Sequence, residues 1–156
     1  MDDLLRDLYQ EVILDHGKHP RNHRHPPGAN HQARGYNPLC GDQVTIYLET
    51  DAGGRIADVA FEGKGCAISI ASASMMTEVL RGKTEAEARR LFEVFHRLCT
   101  EDGFDLEQVE IADREALERL QVLSGVRAFP VRVKCATLAW HAMTAALDGE
   151  AATTTE

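Results

Sequence analysis

Residues 43 to 62 limit the possible folds more than any other stretch of this chain. Val44, Ile46 and Leu48 alternate with Thr45, Tyr47 and Glu49, so a strand here has one apolar face. Asp51-Ala52-Gly53-Gly54 supplies a turn, and Ile56 to Phe61 returns with Ala57, Val59 and Phe61 on a common face. A weaker strand signal lies at residues 31 to 36. The remaining segments have helical spacing. Leu4, Leu5, Leu8, Tyr9, Val12 and Ile13 form a stripe over residues 3 to 14, with Asp2 or Asp3 as cap and an end near His16-Gly17. After Cys66, Ile68, Ala71, Ser72, Met75 and Val79 share a helical face that Gly82 ends. Thr84 and Glu87 form a capping box opening a helix with Ala88, Leu91, Phe92, Phe95, Leu98 and Cys99 on its apolar side. Asp113 is placed to cap a third such helix carrying Leu117, Leu120 and Leu123 and ending at Gly125. Phe129 to Lys134 reads as an extended approach to Cys135, followed by a last helix that buries Leu138, Ala139, Ala142, Met143 and Ala146. The expected architecture is α+β: a small antiparallel sheet of about three strands against helices, one domain over residues 1–150, and a disordered polar tail at 151–156.

Composition narrows the partners. The net charge of −8 argues against general nucleic-acid binding, which needs a basic footprint. No apolar run reaches the roughly 20 residues of a membrane span, and Met1-Asp2-Asp3-Leu4-Leu5 is acidic where a secretory signal is basic. The expectation is a cytoplasmic protein. Residues 16 to 31 hold five of the seven histidines on a proline-broken segment, a poor place for preorganised ligands. This reads as a solvated or partner-facing loop.

The four cysteines form no CxxC pair, and a disulfide framework does not suit a cytosolic chain. Local setting separates them. Cys99 lies on an apolar helical stripe and reads as a small core hydrophobe. Cys66 follows Gly63 and Gly65 at a helix start, where free N–H groups attract an anion. Cys135 has the same placement by sequence, with Lys134 before it. Cys40 and Asp42 flank Gly41 on a loop after Pro38. Three thiols and one carboxylate suit tetrahedral zinc, and equally iron with sulfide. Asp42 is also open to a plain turn-capping role.

These residues resemble a known family. Asn37-Pro38-Leu39-Cys40-Gly41-Asp42, Gly63-Lys64-Gly65-Cys66-Ala67-Ile68-Ser69 and Lys134-Cys135-Ala136-Thr137-Leu138-Ala139-Trp140 are similar to the three cysteine motifs of the U-type iron–sulfur cluster assembly proteins: IscU, SufU and the NifU N-terminal domain. Leu8 to His16 and His19-Pro20-Arg21-Asn22 are similar to the family's N-terminal region. Lys134 stands where IscU-type members have histidine, and the segment around Asp102-Gly103-Phe104 and Asp113 resembles an insertion of SufU-type members, as does Ser72 to Met76. The resemblance therefore runs closest to SufU. It implies a zinc ion held by Cys40, Asp42, Cys66 and Cys135, and a pyridoxal-phosphate cysteine desulfurase of the SufS kind as partner. Cys40 would receive persulfide sulfur and pass it on toward a downstream cluster scaffold or apo-proteins. Lys134 is open to two roles, steadying negative charge or simple solvation. Two other readings stand beside this one: a scaffold that assembles and transfers a transient [2Fe–2S] cluster, and a structural zinc domain for protein interaction.

Overall fold

A computed structural model describes the backbone of residues 3–154 and the side chains from residue 10 onward within that range. The leucine stripe at Leu4, Leu5 and Leu8, Tyr9 and the cap at Asp2 or Asp3 lie outside the described side chains. The described elements run α1 (Asp3–Lys18), β1 (His31–Asn37), β2 (Asp42–Thr50), β3 (Ile56–Lys64), α2 (Ala67–Leu80), α3 (Glu85–Thr100), α4 (Ile111–Leu117), α5 (Pro130–Leu147) and β4 (Ala152–Thr154). The fold is α+β, with a four-stranded sheet in the order β3-β2-β1-β4.

The alternation that opens the sequence reading builds the sheet's inner face. Val44, Ile46 and Leu48 of β2 face inward beside Ala33 of β1 and Val59 and Phe61 of β3, all nearly inaccessible to water. Both β1–β2 and β2–β3 are antiparallel hairpins. Ala57 was expected on the buried face but is exposed. A register shift at Glu49/Thr50 puts Ile56 opposite Thr50 and Asp58 opposite Glu49, so Ile56 goes inward instead. Residues 152–154, expected to be disordered, add a short parallel strand beside Arg34, Gly35 and Tyr36.

Helices α2 and α5 lie on the inner face of the sheet. Helix α2 is buried on nearly every side, from Ser69 through Thr77. Its run of alanines and serines lets neighbours come close, and Ser72 Oγ donates to the Ala136 carbonyl of α5 at 2.5 Å. Trp140 of α5 is fully buried and stacks on Phe95 of α3, with ring centroids 4.9 Å apart. The expected capping box at Thr84 is present in both directions.

Three local expectations need correction. Leu117, Leu120, Leu123 and Val126 are all buried, but the helix that carries them changes type. After α4 the chain tightens into a 3-10 helix over Glu118–Ala128 that passes through Gly125. A spacing of three is the natural period of that helix. Asp113 does not cap α4, because Glu110 holds that position. It is buried inside the first turn and accepts a two-pronged ion pair from Arg90, at 2.9 Å for each bond. Finally, Phe129 to Lys134 is not an extended approach. Pro130 opens α5, which suits proline's fixed φ and missing donor.

The histidine segment is more firmly held than a solvated loop. The Phe61 amide donates to the Asn22 carbonyl and the Arg24 amide to the Phe61 carbonyl, each at 3.0 Å, so the segment lies along the free edge of β3. His25 stacks on Tyr47 at 4.1 Å between centroids, and His16 is buried with Nδ1 2.8 Å from Ser74 Oγ.

Candidate metal centre

The inner face of the sheet changes character at one end of the β1–β2 hairpin. Along β1 the inward positions are Ala33, Gly35 and Asn37, and along β2 they are Asp42, Val44, Ile46 and Leu48. Asn37 and Asp42 pair across the hairpin's last rung and are both buried. The apolar face thus ends in an amide and a carboxylate. Between them Pro38-Leu39-Cys40-Gly41 forms the turn. Gly41 has φ +69°, a left-handed conformation that costs a side-chain-bearing residue energy, so glycine lets the chain double back directly after Cys40.

Each predicted site residue can now be located. Cys40 is exposed on the hairpin turn, and Cys135 is buried in the second turn of α5. Their sulfur atoms are 3.2 Å apart. Asp42 completes a cluster in which Cys40, Asp42 and Cys135 offer ligand atoms within 4.8 Å of one another. Cys66, half-buried, is the N-cap residue of α2. Its backbone N–H donates to Asp42 Oδ1 at 2.8 Å, and its sulfur lies 4.0 Å from Asp42 Oδ2. Cys66 is therefore next to the three-residue cluster through Asp42, and it lines the same cleft as Cys40 and Cys135. Gly65 makes this approach feasible, because a Cβ there would overlap Asp42 Oδ1.

The expectation that both inner cysteines start helices holds for Cys66 only. Cys135 lies past the first turn of α5, so free N–H groups do not explain its chemistry. Burial pushes its thiol up from the ordinary range, and hydrogen bonds with Cys40, Asp42 and Cys66 add to the shift. A bound cation reverses that tendency, because its charge favours thiolate. The donor set fits such an ion. Two sulfurs and a carboxylate converge, a third sulfur stands beside them, and the carboxylate is oriented by a backbone N–H before any metal arrives.

Asn37 has no role in the sequence reading beyond its place in the motif. In the structure its side-chain nitrogen donates to Asp42 Oδ2 at 3.1 Å and to Cys135 Sγ at 3.3 Å. The available signal was an asparagine five residues before an aspartate with a proline–glycine turn between them. The five histidines of residues 16 to 31 do not join the cluster among the described residues. Cys99 is fully buried in α3, as its helical spacing implies.

The cysteines open onto a cleft of about 530 Å³, lined by Cys40, Cys66, Cys135, Phe129, Val131 and Arg132 among others. Leu39, Phe129 and Val131 leave large apolar side chains exposed at this end of the molecule. No described helix is long and apolar enough to cross a membrane.

Comparison with known proteins adds an independent line. The family model described as NifU-like N terminal domain matches residues 8–102. The chain is 39% identical over 139 residues to the zinc-dependent sulfurtransferase SufU of Bacillus subtilis, covering 89% of this chain and 88% of that protein. It is 37% identical over 147 residues to the iron-sulfur cluster assembly scaffold protein IscU of Streptococcus pyogenes serotype M1, covering 94% and 87%. Among solved structures it is similar to a putative iron-sulfur cluster assembly scaffold protein for the SUF system from Fervidobacterium islandicum AW-1. That likeness has a TM-score of 0.75 at 34% identity and covers 91% of this chain and 98% of the other.

Proposed function

Because the chain belongs to the family of NifU-like N-terminal domains, we propose that it is a zinc-bound sulfur acceptor in iron–sulfur cluster assembly, taking sulfur at Cys40 from a cysteine desulfurase. The observation that carries this reading is the contrast within the cluster. Cys40 is exposed on a hairpin turn, while Cys135 and Asp42, its neighbours, are buried. A sulfur acceptor needs one thiol that can meet a partner and other groups that stay in place. The name of the 39% identical relative, a zinc-dependent sulfurtransferase, supports the same choice.

Cys40, Asp42, Cys66 and Cys135 would hold the ion. When bound, zinc keeps the thiols deprotonated and ties the three segments together. The chemistry belongs to Cys40. Its thiolate attacks the outer sulfur of the partner's cysteine persulfide and forms a new S–S bond. The bond to the partner's own cysteine breaks, and that cysteine leaves as thiolate, so no net oxidation occurs. Asp42, Cys66 and Cys135 would be the ligands left to hold the metal. The partner is a pyridoxal-phosphate enzyme of the SufS kind, the setting is the cytoplasm, and the product persulfide goes on to a cluster scaffold or apo-protein.

A second reading is a scaffold for a transient [2Fe–2S] cluster, favoured by the 37% identity to a scaffold protein. In that case the cluster is cargo, and Asp42, a harder ligand than thiolate, eases its release. Lys134 in place of a histidine removes one candidate ligand and weighs against it. A structural zinc domain fits less well, because such sites are closed and Cys40 is exposed.

Metal content separates the readings. Protein purified without added iron is expected to hold one zinc ion, and a brown iron–sulfur species would favour the scaffold. Added to a cognate desulfurase with cysteine, the protein is expected to raise alanine production strongly, and Cys40→Ala to abolish the rise. Stimulation by Cys40→Ala equal to that by the parent would rule out Cys40 as acceptor.

A further inference from the structure

One side-chain amide divides the donor set into two halves. Asn37 is fully buried, and its Nδ2 has two hydrogens to give. One goes to Asp42 Oδ2 at 3.1 Å and the other to Cys135 Sγ at 3.3 Å. Asp42 Oδ1 accepts from the Cys66 amide at 2.8 Å, so both carboxylate oxygens are held. No side-chain donor of this kind reaches Cys40 among the described residues. Its own backbone N–H donates to the Asn37 carbonyl at 3.3 Å, which shapes the turn, and its sulfur accepts from the Cys135 thiol at 3.2 Å, a bond that a Cys135 thiolate no longer makes.

We propose that Asn37 is a positioning residue that locks Asp42 and Cys135 into the fixed half of the site and leaves Cys40 as the exchangeable half. The inference rests on the reading of these residues as a metal site. An N–H donor to a thiolate withdraws electron density from sulfur, making it a weaker nucleophile and a quieter ligand. Outer hydrogen bonds of this type orient metal ligands and tune their strength. With Cys135 held in this way and Cys40 not, selectivity between the two adjacent sulfurs has a chemical basis beyond exposure. The hairpin geometry makes the arrangement economical, because Asn37 and Asp42 are partners on the rung that closes the turn carrying Cys40.

Cobalt(II) reports on this directly. In the cobalt-loaded parent, thiolate-to-cobalt charge transfer gives an absorption band whose energy rises when a thiolate is hydrogen-bonded. Asn37→Leu keeps the side chain's approximate shape and removes both donors. The expected result is a shift of that band to longer wavelength, an affinity for cobalt lowered by about 10–100-fold, and a narrower preference for Cys40 over Cys135 in alkylation by iodoacetamide. An unchanged band and unchanged preference in a folded variant would overturn the proposal. A parent that takes up no cobalt would overturn the metal-site reading along with it, which separates the two failures. If Asn37→Leu does not fold, the parent loaded with ¹¹³Cd decides. A coupling between an Asn37 side-chain amide proton and cadmium through the Cys135 sulfur is expected, and its absence would overturn the assignment.

Discussion

Cys40 and Cys99 are both free thiols, and their surroundings give them opposite chemistry. Cys99 is sealed in α3, where burial pushes its thiol up to about 12 despite the opposing charge of Arg127. In metal-free native protein, iodoacetamide is expected to modify Cys40 and spare Cys99 until denaturant is added, as peptide mass spectrometry would record. Rapid native labelling of Cys99 would contradict its burial. Cys99→Ala is expected to cost about 1 kcal/mol in urea denaturation without changing metal uptake. His16 makes a second residue-level prediction. Burial lowers its pKa first, Arg21 and Arg119 lower it further, and Glu78 and Asp15 oppose them. A histidine depressed in the folded state leaves stability intact above its unfolded pKa of about 6.5 and loses it as pH falls from there through the folded value. Thermal melts of metal-free protein are therefore expected to drop between pH 7.5 and 5.5, and His16→Gln to flatten part of that drop. His141, also lowered by burial, contributes with the same sign and accounts for some of the remainder.

The elements differ in how far their own residues dictate them. The capping box is local. Thr84 Oγ1 accepts from the Glu87 amide, and Glu87 Oε1 accepts from the Thr84 amide, each at 3.1 Å. Thr84→Ala is expected to lower stability by about 1 kcal/mol in urea, with metal affinity unchanged. Arg127 shows the opposite case. It donates to the Leu98 and Phe104 carbonyls, both at 2.6 Å, and so pins the 3-10 helix to the end of α3 from 29 and 23 residues away. Arg127→Ala leaves those carbonyls without their charged donor and is expected to cost about 2–3 kcal/mol. The β2–β3 hairpin and the capping box were legible because alternation and a four-residue motif act at short range. The Leu117-Leu120-Leu123 spacing was legible as a buried stripe, but a period of three serves a 3-10 helix as well as an α-helix. Phe129 to Lys134 misled because Val131 and Val133 alternate like a strand, while Pro130 was the helix-opening signal. Strand β4 has three weakly patterned residues and exists only because β1 offers an edge.

At the scale of the molecule, the site joins segments that lie far apart in sequence. Residues 37–42 close one hairpin, Cys66 follows the next, and Cys135 comes from the last helix. The motifs singled out Cys40, Cys66 and Cys135, which the fold brings to one cleft, yet the contacts of Asn37 with Asp42 and Cys135 and the position of Cys135 beyond the first turn of α5 depend on how the hairpin meets that helix. A ligand that binds only the assembled site stabilises the whole fold. With free zinc a thousandfold above its dissociation constant the gain is about 4 kcal/mol, so stripping zinc with a chelator is expected to lower the melting midpoint by roughly 8–16 °C. Most of that shift is expected to vanish in Asp42→Ala. The most direct test of the sulfur-acceptor reading is to find where the sulfur lands. Zinc-loaded protein is mixed with a cognate desulfurase and cysteine, quenched with an alkylating agent, digested and analysed by mass spectrometry. The account predicts one additional sulfur on the peptide containing Cys40 and none on those containing Cys66, Cys99 or Cys135. Additional sulfur on Cys135 or Cys66 with Cys40 unmodified would contradict it.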